Sequence, residues 1–347
     1  MVRPNSSMRL LALSTITFLA AGLPVSAQQV SDFTFRRPCM GTVWRLKLYA
    51  EDEDAAKEAA EAAFARVEAL NAVLSDYLQE SELSRLSATA GTGKPMTVSG
   101  DLLAVLRLSQ AAAVESGGVF DITIGPCVQL WRKSRKSHTL PSPEDIQSAR
   151  QSTGWESLAL DETARTALLK KPGMRLDTGG IAKGFAQDEA LMLLRTKFNI
   201  TSALLDAGGA VAVTGKPPGR DGWNVQLGKT TDSDPDIVLL VENTCVATSG
   251  DLRQSVEIDG VGYSHIIDKT TGLGMIRPTQ ASVVAGLAVD ADRLATTLCL
   301  MGPEKGIEWL ITHHPKAEAR VLAKGGDGAS VVRETAGFSK LILQSGK

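Results

Sequence analysis

The sequence is poor in the residues that build metal clusters and disulfide frameworks. It contains four cysteines and four histidines in 347 residues. The cysteines, at positions 39, 127, 245 and 299, are scattered along the chain and form no Cys-x-x-Cys pair. A zinc site is therefore not expected, and spacing alone assigns no disulfide.

A surplus of basic charge is also missing. The chain has 37 Lys and Arg against 39 Asp and Glu, and two of the arginines lie in the first 27 residues, which contain no acid. The remainder has 35 basic and 39 acidic residues, a net charge of −4. Because binding to nucleic-acid phosphates needs a clustered basic surface, no nucleic-acid partner is expected.

Long apolar runs are confined to the N-terminus. Leu10–Leu23 follows two arginines, Arg3 and Arg9, and precedes the small residues "VSA", the pattern of a cleaved export signal. The run has 14 residues, fewer than the ~20 that a membrane-spanning helix needs. We therefore predict a signal peptide over residues 1–27, no lipid anchor or membrane span, and a location in the periplasm or cell envelope.

Residues 28–347 are predicted to form a single α+β domain. "TVWRLKLYA" (Thr42–Ala50) alternates apolar and polar residues, as a half-buried strand does. Further strand-like runs lie at 157–161, 166–170, 202–206, 210–215, 223–228, 237–241, 281–286, 319–324 and 340–344. Helical periodicity occurs at 51–75, where acids stand at the front end, and at 101–117, 181–197, 289–301 and 303–313. The strands cluster between helices without strict βαβ alternation, which favours mainly antiparallel β-sheets flanked by helices.

Glycines recur in four short motifs, "SGGVFD", "DTGGIAKGFA", "DAGGA" and "TSGD". "GGIAKG" matches neither the Walker pattern nor G-x-G-x-x-G. A Gly-Gly turn at a helix start still exposes N–H groups to an anion, so the motifs suit a ligand cradle. Tight turns and close packing alone would explain them equally well.

A carboxylate and a hydroxyl share a helix face in "VDADRLATTLCLMG". Asp292 and Thr296 are four residues apart, so both side chains can reach one hard cation such as Mg²⁺. The alternative is that Asp292 is a solvated or helix-capping residue.

The stretch "YSHIID" places His265 three residues before Asp268. An imidazole has an ordinary pKa near neutrality, so His265 is a candidate general base. It could also be a buried, hydrogen-bonded histidine or a metal ligand. A Ser–His–Asp hydrolase is disfavoured because the chain has no G-x-S-x-G elbow.

Eight motifs in order resemble those of the ApbE family, the FAD:protein FMN transferases. They are "CMGTVW", "SDYLQESELSRLS", "SGGVFDITIGP", "LDTGGIAKGFAQD", "DAGGAVAVTG", "ATSGD", "YSHIIDKTTG" and "DADRLATTLCLMG". The resemblance runs from about residue 38 to residue 302. It implies a two-lobed, T-fold-like architecture.

The resemblance also implies a reaction. Members of the family bind FAD with Mg²⁺ and transfer its FMN half to a threonine hydroxyl in an Asp-x-x-Thr-x-Ala-Thr acceptor motif, releasing AMP. It implies that His265 is the base and that Asp292, Thr296 and a backbone oxygen of Gly180 bind the metal. The residues that it places against FAD are Met40, Tyr77, Val119, Phe120, Asp121, Asp177, Lys183, His265 and Ile266. The expected partner is an acceptor flavoprotein, a membrane respiratory or electron-transfer protein.

The chain departs from the family pattern at several positions. Asp206 and Ala210 stand where the family has Asn and Asp, and Lys269 replaces a Pro. Thr178 and Phe185 replace a Leu and a Tyr. The altered "DAGGA" and "DKTTG" favour one alternative, a non-catalytic FAD-binding assembly protein. The resemblance leaves a second one open, an FAD pyrophosphatase that uses water as its nucleophile and releases FMN and AMP.

Overall fold

The structure is a computed structural model that describes residues 1, 30–228, 236–250, 255–325 and 329–343. Apart from Met1, the predicted signal peptide lies outside the described residues. Within those ranges, no helix combines the length and apolar character that crossing a membrane requires.

The helices and strands follow one another in mixed order along the chain. The strands are β1 (Ser31–Cys39), β2 (Thr42–Ala50), β3 (Met96–Thr97), β4 (Leu158–Asp161), β5 (Thr166–Leu169), β6 (Ala203–Asp206), β7 (Ala210–Thr214), β8 (Trp223–Gln226), β9 (Val238–Val241), β10 (Thr244–Gly250), β11 (Val256–Ile258), β12 (Val261–Tyr263), β13 (Ile267–Asp268), β14 (Leu273–Gly274), β15 (Thr279–Ala285), β16 (Glu318–Lys324) and β17 (Ser330–Glu334). The α-helices are α1 (Glu53–Leu74), α2 (Glu82–Ala88), α3 (Gly100–Glu115), α4 (Gly125–Ser137), α5 (Pro143–Gln151), α6 (Ala182–Phe198), α7 (Ala288–Met301) and α8 (Pro303–His313), and single 3₁₀ turns lie at Trp155–Ser157 and Phe338–Leu341.

A central sheet runs in the order β1-β2-β6-β7-β10-β15-β16-β17, and every neighbouring pair in it is antiparallel. Helices α1, α6, α7 and α8 pack in sequence across one face. The β8–β9 hairpin and Phe338 cover part of the other face. This α+β, mainly antiparallel architecture confirms the predicted fold class.

Side-chain alternation divides the central sheet between two cores. Ala212 and Val283 point to the helical layer, whereas Val213 and Val284 pack towards the β8–β9 hairpin. Neighbouring residues of a strand point to opposite faces of the sheet, because side chains alternate with a two-residue period. On the helical side, α1 buries Ala60, Phe64, Val67, Leu70 and Leu74, the apolar stripe that its sequence predicts.

Three features of the central sheet bring loops to one end. The β1–β2 turn, the β6–β7 turn and the end of β10 are neighbours, because antiparallel pairing aligns β2 with β6 and β7 with β10. Helices α6 and α7 begin or pass close to this end. The candidate site is built there.

Several local predictions were wrong or incomplete. Residues 340–343 do not form a closing strand: Phe338–Leu341 is a 3₁₀ turn, after which Ile342 makes an isolated bridge with Leu239, and residue 344 of the predicted strand lies outside the described residues. The prediction also missed β1 and the polar helices α4 and α5. Strand β1 is an edge strand that buries few side chains, so its apolar alternation is weak.

Candidate active site

A cavity of about 770 Å³ opens at this end of the central sheet. Every residue that the sequence resemblance assigns to FAD, metal or base lines it. These are Met40, Tyr77, Val119, Phe120, Asp121, Asp177, Gly180, Lys183, His265, Ile266, Asp292 and Thr296. The folded chain thus brings together residues from positions 40 to 296.

Two tight turns form part of the cavity wall, and one of them explains the glycine motif "DAGGA". Gly41 and Gly208 both have positive φ angles, of 75° and 68°. A Cβ at Gly208 would lie 2.2 Å from Thr42 Oγ1, so no side chain fits between the two turns. At "DAGGA", therefore, close packing and a cavity-lining position coincide.

Asp292 and Thr296 lie on the same face of α7, as their spacing predicts. The Asp292 side chain is buried, and its Oδ2 accepts a 3.0 Å hydrogen bond from the Gly184 N–H. Thr296 Oγ1 is 3.2 Å from Ser249 Oγ. A Cβ at Gly180 would lie 3.0 Å from Thr296 Oγ1, which shows how closely the Gly180 backbone approaches this face of α7.

This donor set fits a hard cation that shares its coordination with a ligand. Among the described residues, no three His, Cys, Asp or Glu side chains cluster as a complete metal-binding group. Mg²⁺ is commonly held by one or two carboxylates together with substrate phosphates and water. One buried carboxylate and one hydroxyl match that requirement, and the close approach of Gly180 to Thr296 leaves little room for a side chain there.

His265 lies in the cavity wall with an unpartnered ring nitrogen. Its Nδ1 is buried and makes no hydrogen bond to any described part of the chain. Burial lowers the pKa of His265 to about 4, with further lowering by the charges of Arg135 and Lys183. The imidazole is therefore neutral at pH 7 and able to accept a proton, which distinguishes it from the hydrogen-bonded core histidine considered above.

A half-buried ion-pair cluster forms part of the cavity wall. Arg132 on α4 donates to Asp76 and Asp177, over N–O distances of 2.5 and 3.1 Å. Its Cζ lies 3.9 Å from the centre of the Tyr77 ring, which is 74% exposed at the cavity mouth. Burial, and then the nearby Asp76 carboxylate, raise the pKa of Asp177 above its usual range. Arg132 thus links three cavity-lining side chains.

The "SGGVFD" loop is fixed by its own polar groups. Asp121 accepts hydrogen bonds from the Thr123 N–H and hydroxyl at 2.9 and 2.6 Å. Burial nevertheless raises the Asp121 pKa. Phe120 is buried and its ring packs towards Gly180, so it shapes the wall more than it exposes a stacking surface.

Basic side chains face the same cavity. Arg132, Arg135, Lys183 and Lys269 all line it, and Lys269 Nζ donates to the Gly118 carbonyl at 2.6 Å. Lys183 Nζ lies 3.3 Å from the Gly179 carbonyl. Such a concentration of cations in one concave surface suits a polyanionic ligand such as a pyrophosphate.

The departures from the family pattern have structural roles in this chain. Asp206 forms a 3.2 Å ion pair with Arg45 and accepts the Gly208 N–H at 2.9 Å, which stabilises the β6–β7 turn. Thr178 donates to the Leu74 carbonyl at 2.8 Å. Lys269 ties its own turn to the "SGGVFD" loop, as described above.

The sequence prediction missed Asp76, Arg132 and Arg135, which also line the cavity. Asp76 lies inside the motif "SDYLQESELSRLS", but the motif predicts no role for it. Arg132 and Arg135 occur in the basic stretch "WRKSRKS", whose position beside the cavity depends on the packing of α4. No local pattern distinguishes such a stretch from an exposed polar helix.

Comparisons with known proteins agree with this architecture. The sequence model of the ApbE family matches residues 40–321. A protein from Treponema pallidum (strain Nichols) named FAD:protein FMN transferase is 32% identical over 308 residues, covering 84% of each chain. A protein of the same name from Vibrio cholerae serotype O1 is 32% identical over 310 residues, covering 86% of this chain and 89% of the relative.

Solved structures give the same result. The flavin transferase ApbE from Vibrio cholerae superposes with a TM-score of 0.79 at 26% identity, covering 90% of this chain and 100% of that one. The apo form of the Pseudomonas stutzeri flavinyl transferase ApbE has a TM-score of 0.78 at 26% identity, covering 90% and 96%. With the family match over residues 40–321, these results establish that the chain belongs to the ApbE family.

Proposed function

We propose that the protein is an FAD:protein FMN transferase that attaches FMN to a threonine of an acceptor flavoprotein in a Mg²⁺-dependent reaction. One observation carries the proposal. A neutral, unpartnered imidazole, an Asp–Thr oxygen pair and four cationic side chains open onto one cavity in a chain of the ApbE family. A base, a cation site and an anion-binding surface are the groups that transfer from a pyrophosphate requires.

Different cavity residues would bind the rings, the pyrophosphate and the metal that accompany FAD. The exposed ring of Tyr77 offers an apolar face to a flavin or adenine, with its other face covered by Arg132. Lys183, Arg135 and Lys269 supply positive charge for the pyrophosphate. Asp292, Thr296 and the Gly180 backbone oxygen would hold Mg²⁺, which supplies further charge neutralisation on the phosphates when bound.

His265 handles the proton of the nucleophile. Its imidazole takes the proton as the threonine oxygen forms a bond to the phosphorus of the FMN half. The bond between that phosphorus and the bridging oxygen of the AMP half breaks, and AMP leaves with the electron pair. The product is FMN joined to threonine by a phosphoester.

Export of the mature chain, from about residue 28, completes the proposal. The signal-like segment would take the enzyme to the periplasm or cell envelope, where a membrane respiratory or electron-transfer flavoprotein exposes its acceptor threonine. Export is checked by the N-terminal sequence and cell fraction of the protein recovered from its native host.

The function is tested by the intact mass of a peptide carrying Asp-x-x-Thr-x-Ala-Thr after incubation with enzyme, FAD and Mg²⁺. We expect a mass gain equal to the FMN phosphoester, lost with EDTA and with His265→Ala. His313→Ala is the matched control, because His313 is an exposed histidine on α8 away from the cavity, and it should leave the gain unchanged.

The other outcomes identify the alternatives. An unmodified peptide with accumulating AMP would indicate an FAD pyrophosphatase that uses water as its nucleophile. An unmodified peptide with intact FAD that binds equally well to His265→Ala would indicate a non-catalytic flavin-binding protein.

A further inference from the structure

Helix α7, which carries Asp292 and Thr296, begins without a cap of its own. Its N-cap residue is Leu287, whose side chain makes no hydrogen bond. The first N–H groups of a helix have no partner within the helix, so another group must accept from them when they are buried. At α7 this acceptor comes from a different helix.

Asp188 on α6 supplies the missing cap. Its Oδ1 accepts the Ala288 N–H at 2.8 Å, and its Oδ2 accepts the Val289 N–H at 2.9 Å. Both carboxylate oxygens are thus used at the positive end of the α7 dipole, where a negative charge is favourable. The contact joins residues a hundred positions apart in the chain.

The capping is reciprocal. Helix α6 also begins without a side-chain cap, and Gly184 in its first turn donates its N–H to Asp292 Oδ2 on α7. A Cβ at Gly184 would lie 2.3 Å from the Ala288 carbonyl oxygen, so the two helix starts are in backbone contact. Each helix therefore satisfies N–H groups of the other through one carboxylate.

We propose that Asp188 is a positioning residue for the metal-binding face of α7. By holding Ala288 and Val289 against α6, it fixes Asp292 and Thr296 relative to Gly180, which lies just before α6 begins. This inference rests on the proposed function, in particular on the metal assignment of Asp292 and Thr296.

A cap for α7 alone would not need this arrangement. A Ser, Thr or Asp at position 287 would accept the N–H of Val289 or Asp290 without involving a second helix. Asp188 instead ties α7 to α6, which fixes the distance between the turn carrying Gly180 and the face carrying Asp292. Partners of this kind, beyond the ligands themselves, hold metal-binding side chains in place.

The charges around Asp188 make the contact sensitive to acid. Burial raises the pKa of Asp188 to about 6, although the two N–H groups oppose the shift. The acidic groups facing it are Glu189 on α6 and Asp290 on α7, and the Cys245 thiol on β10 is also nearby. Protonation near pH 6 removes one acceptor and loosens the cap.

The experiment measures binding of Mn²⁺, as a paramagnetic substitute for Mg²⁺, to the FAD-loaded protein by electron paramagnetic resonance. Asp188→Asn should weaken the affinity about 10- to 100-fold, the range typical for such supporting partners. Asp290→Asn is the matched control. Asp290 lies in the first turn of α7, but its carboxylate pairs with Arg293 and does not cap the helix. It should leave the affinity within about twofold of wild type, the scatter expected of a partly exposed surface charge.

A pH series on the wild-type protein gives a second readout, which does not depend on the folding of a variant. The Mn²⁺ affinity should fall as the pH drops through 6, and in Asp188→Asn this fall should be absent. Wild-type affinity in Asp188→Asn, or a wild-type affinity that is flat from pH 7.5 to 5, overturns the inference alone. If wild-type protein binds no Mn²⁺, or Asp292→Asn binds it normally, the metal assignment itself fails and the inference fails with it.

Discussion

Substitution of Gly184 by alanine tests the contact between α6 and α7 most directly. The added Cβ would lie 2.3 Å from the Ala288 carbonyl oxygen and 2.6 Å from its carbon. These are backbone atoms of a packed helix, so no side-chain rotation can relieve the overlap. To reach an ordinary separation of about 3 Å, the two helix starts must move apart by about 0.7 Å. This movement would also lengthen the hydrogen bond from the Gly184 N–H to Asp292.

The magnitude follows from two opposing effects. Overpacking a filled contact typically costs about 1–3 kcal/mol, and a backbone clash of this size belongs at the upper end. Replacing Gly by Ala inside a helix recovers up to ~1 kcal/mol of helix propensity. The net expectation is a loss of about 2 kcal/mol in the free energy of unfolding, a fall in Tm of roughly 3 °C for a chain of this length.

Urea denaturation and thermal unfolding of the isolated protein measure this loss, and FMN transfer under the same conditions measures its effect on the site. The control is Gly100→Ala at the start of α3, where a Cβ would meet nothing within 4 Å. That variant should be as stable as wild type or slightly more stable. If Gly184→Ala behaves like Gly100→Ala and keeps full transferase activity, the close seating of α7 on α6 is not what holds the site.

Other perturbations probe the charged groups of the cavity. Because the folded pKa of His265, about 4, is below its ordinary value of 6.5, the unfolded chain binds the proton first as pH falls. From pH 7 to pH 4, the free energy of unfolding of His265→Ala should therefore improve relative to wild type by about 3 kcal/mol, measured by urea denaturation at each pH, with no change above pH 7. Arg132→Gln leaves Asp177 beside the Asp76 carboxylate without a cation, so the free energy of unfolding should fall by roughly 2 kcal/mol, and this loss should shrink in acid. The control Arg37→Gln breaks a more exposed ion pair and should cost under about 1 kcal/mol. Equal losses from the two variants would contradict the role given to the Arg132 cluster. Lys269→Met removes an ammonium from the cavity wall and should raise the KM for FAD about tenfold, the value of one lost charge-assisted contact, with little change in kcat; an unchanged KM would mean that Lys269 only ties two loops together.

How much of this protein is predictable from its sequence differs between the elements. Helices α1, α6, α7 and α8 show strong apolar periodicity, and the structure has all of them within a few residues of the prediction. Helix α4 was missed because its Gly-Pro start and four basic residues give it a polar average, and it is held by the packing of Cys127 and Trp131. Residues 340–344 look like a strand by composition, yet the 3₁₀ turn at Phe338–Leu341 takes up the first two, and the described part of the rest makes an isolated bridge between Ile342 and Leu239.

Some features of the candidate site were also predictable from the sequence, and others were not. The shared face of Asp292 and Thr296 depends only on the period of a helix, so the sequence by itself determined it. The family motifs likewise marked all the cavity-lining candidates, although they could not show which side chains would be buried, exposed or paired.

Only the tertiary structure decided the electrostatic state of the site. The neutral His265, the Arg132 bridge to Asp76 and Asp177, and the reciprocal capping of α6 and α7 all join segments tens to hundreds of residues apart. A pKa shift or a cap across helices depends on the total desolvation and on the charges that surrounding elements bring within a few ångströms. Local sequence determines where a helix starts; which carboxylate meets its N–H groups is settled only when the helices pack.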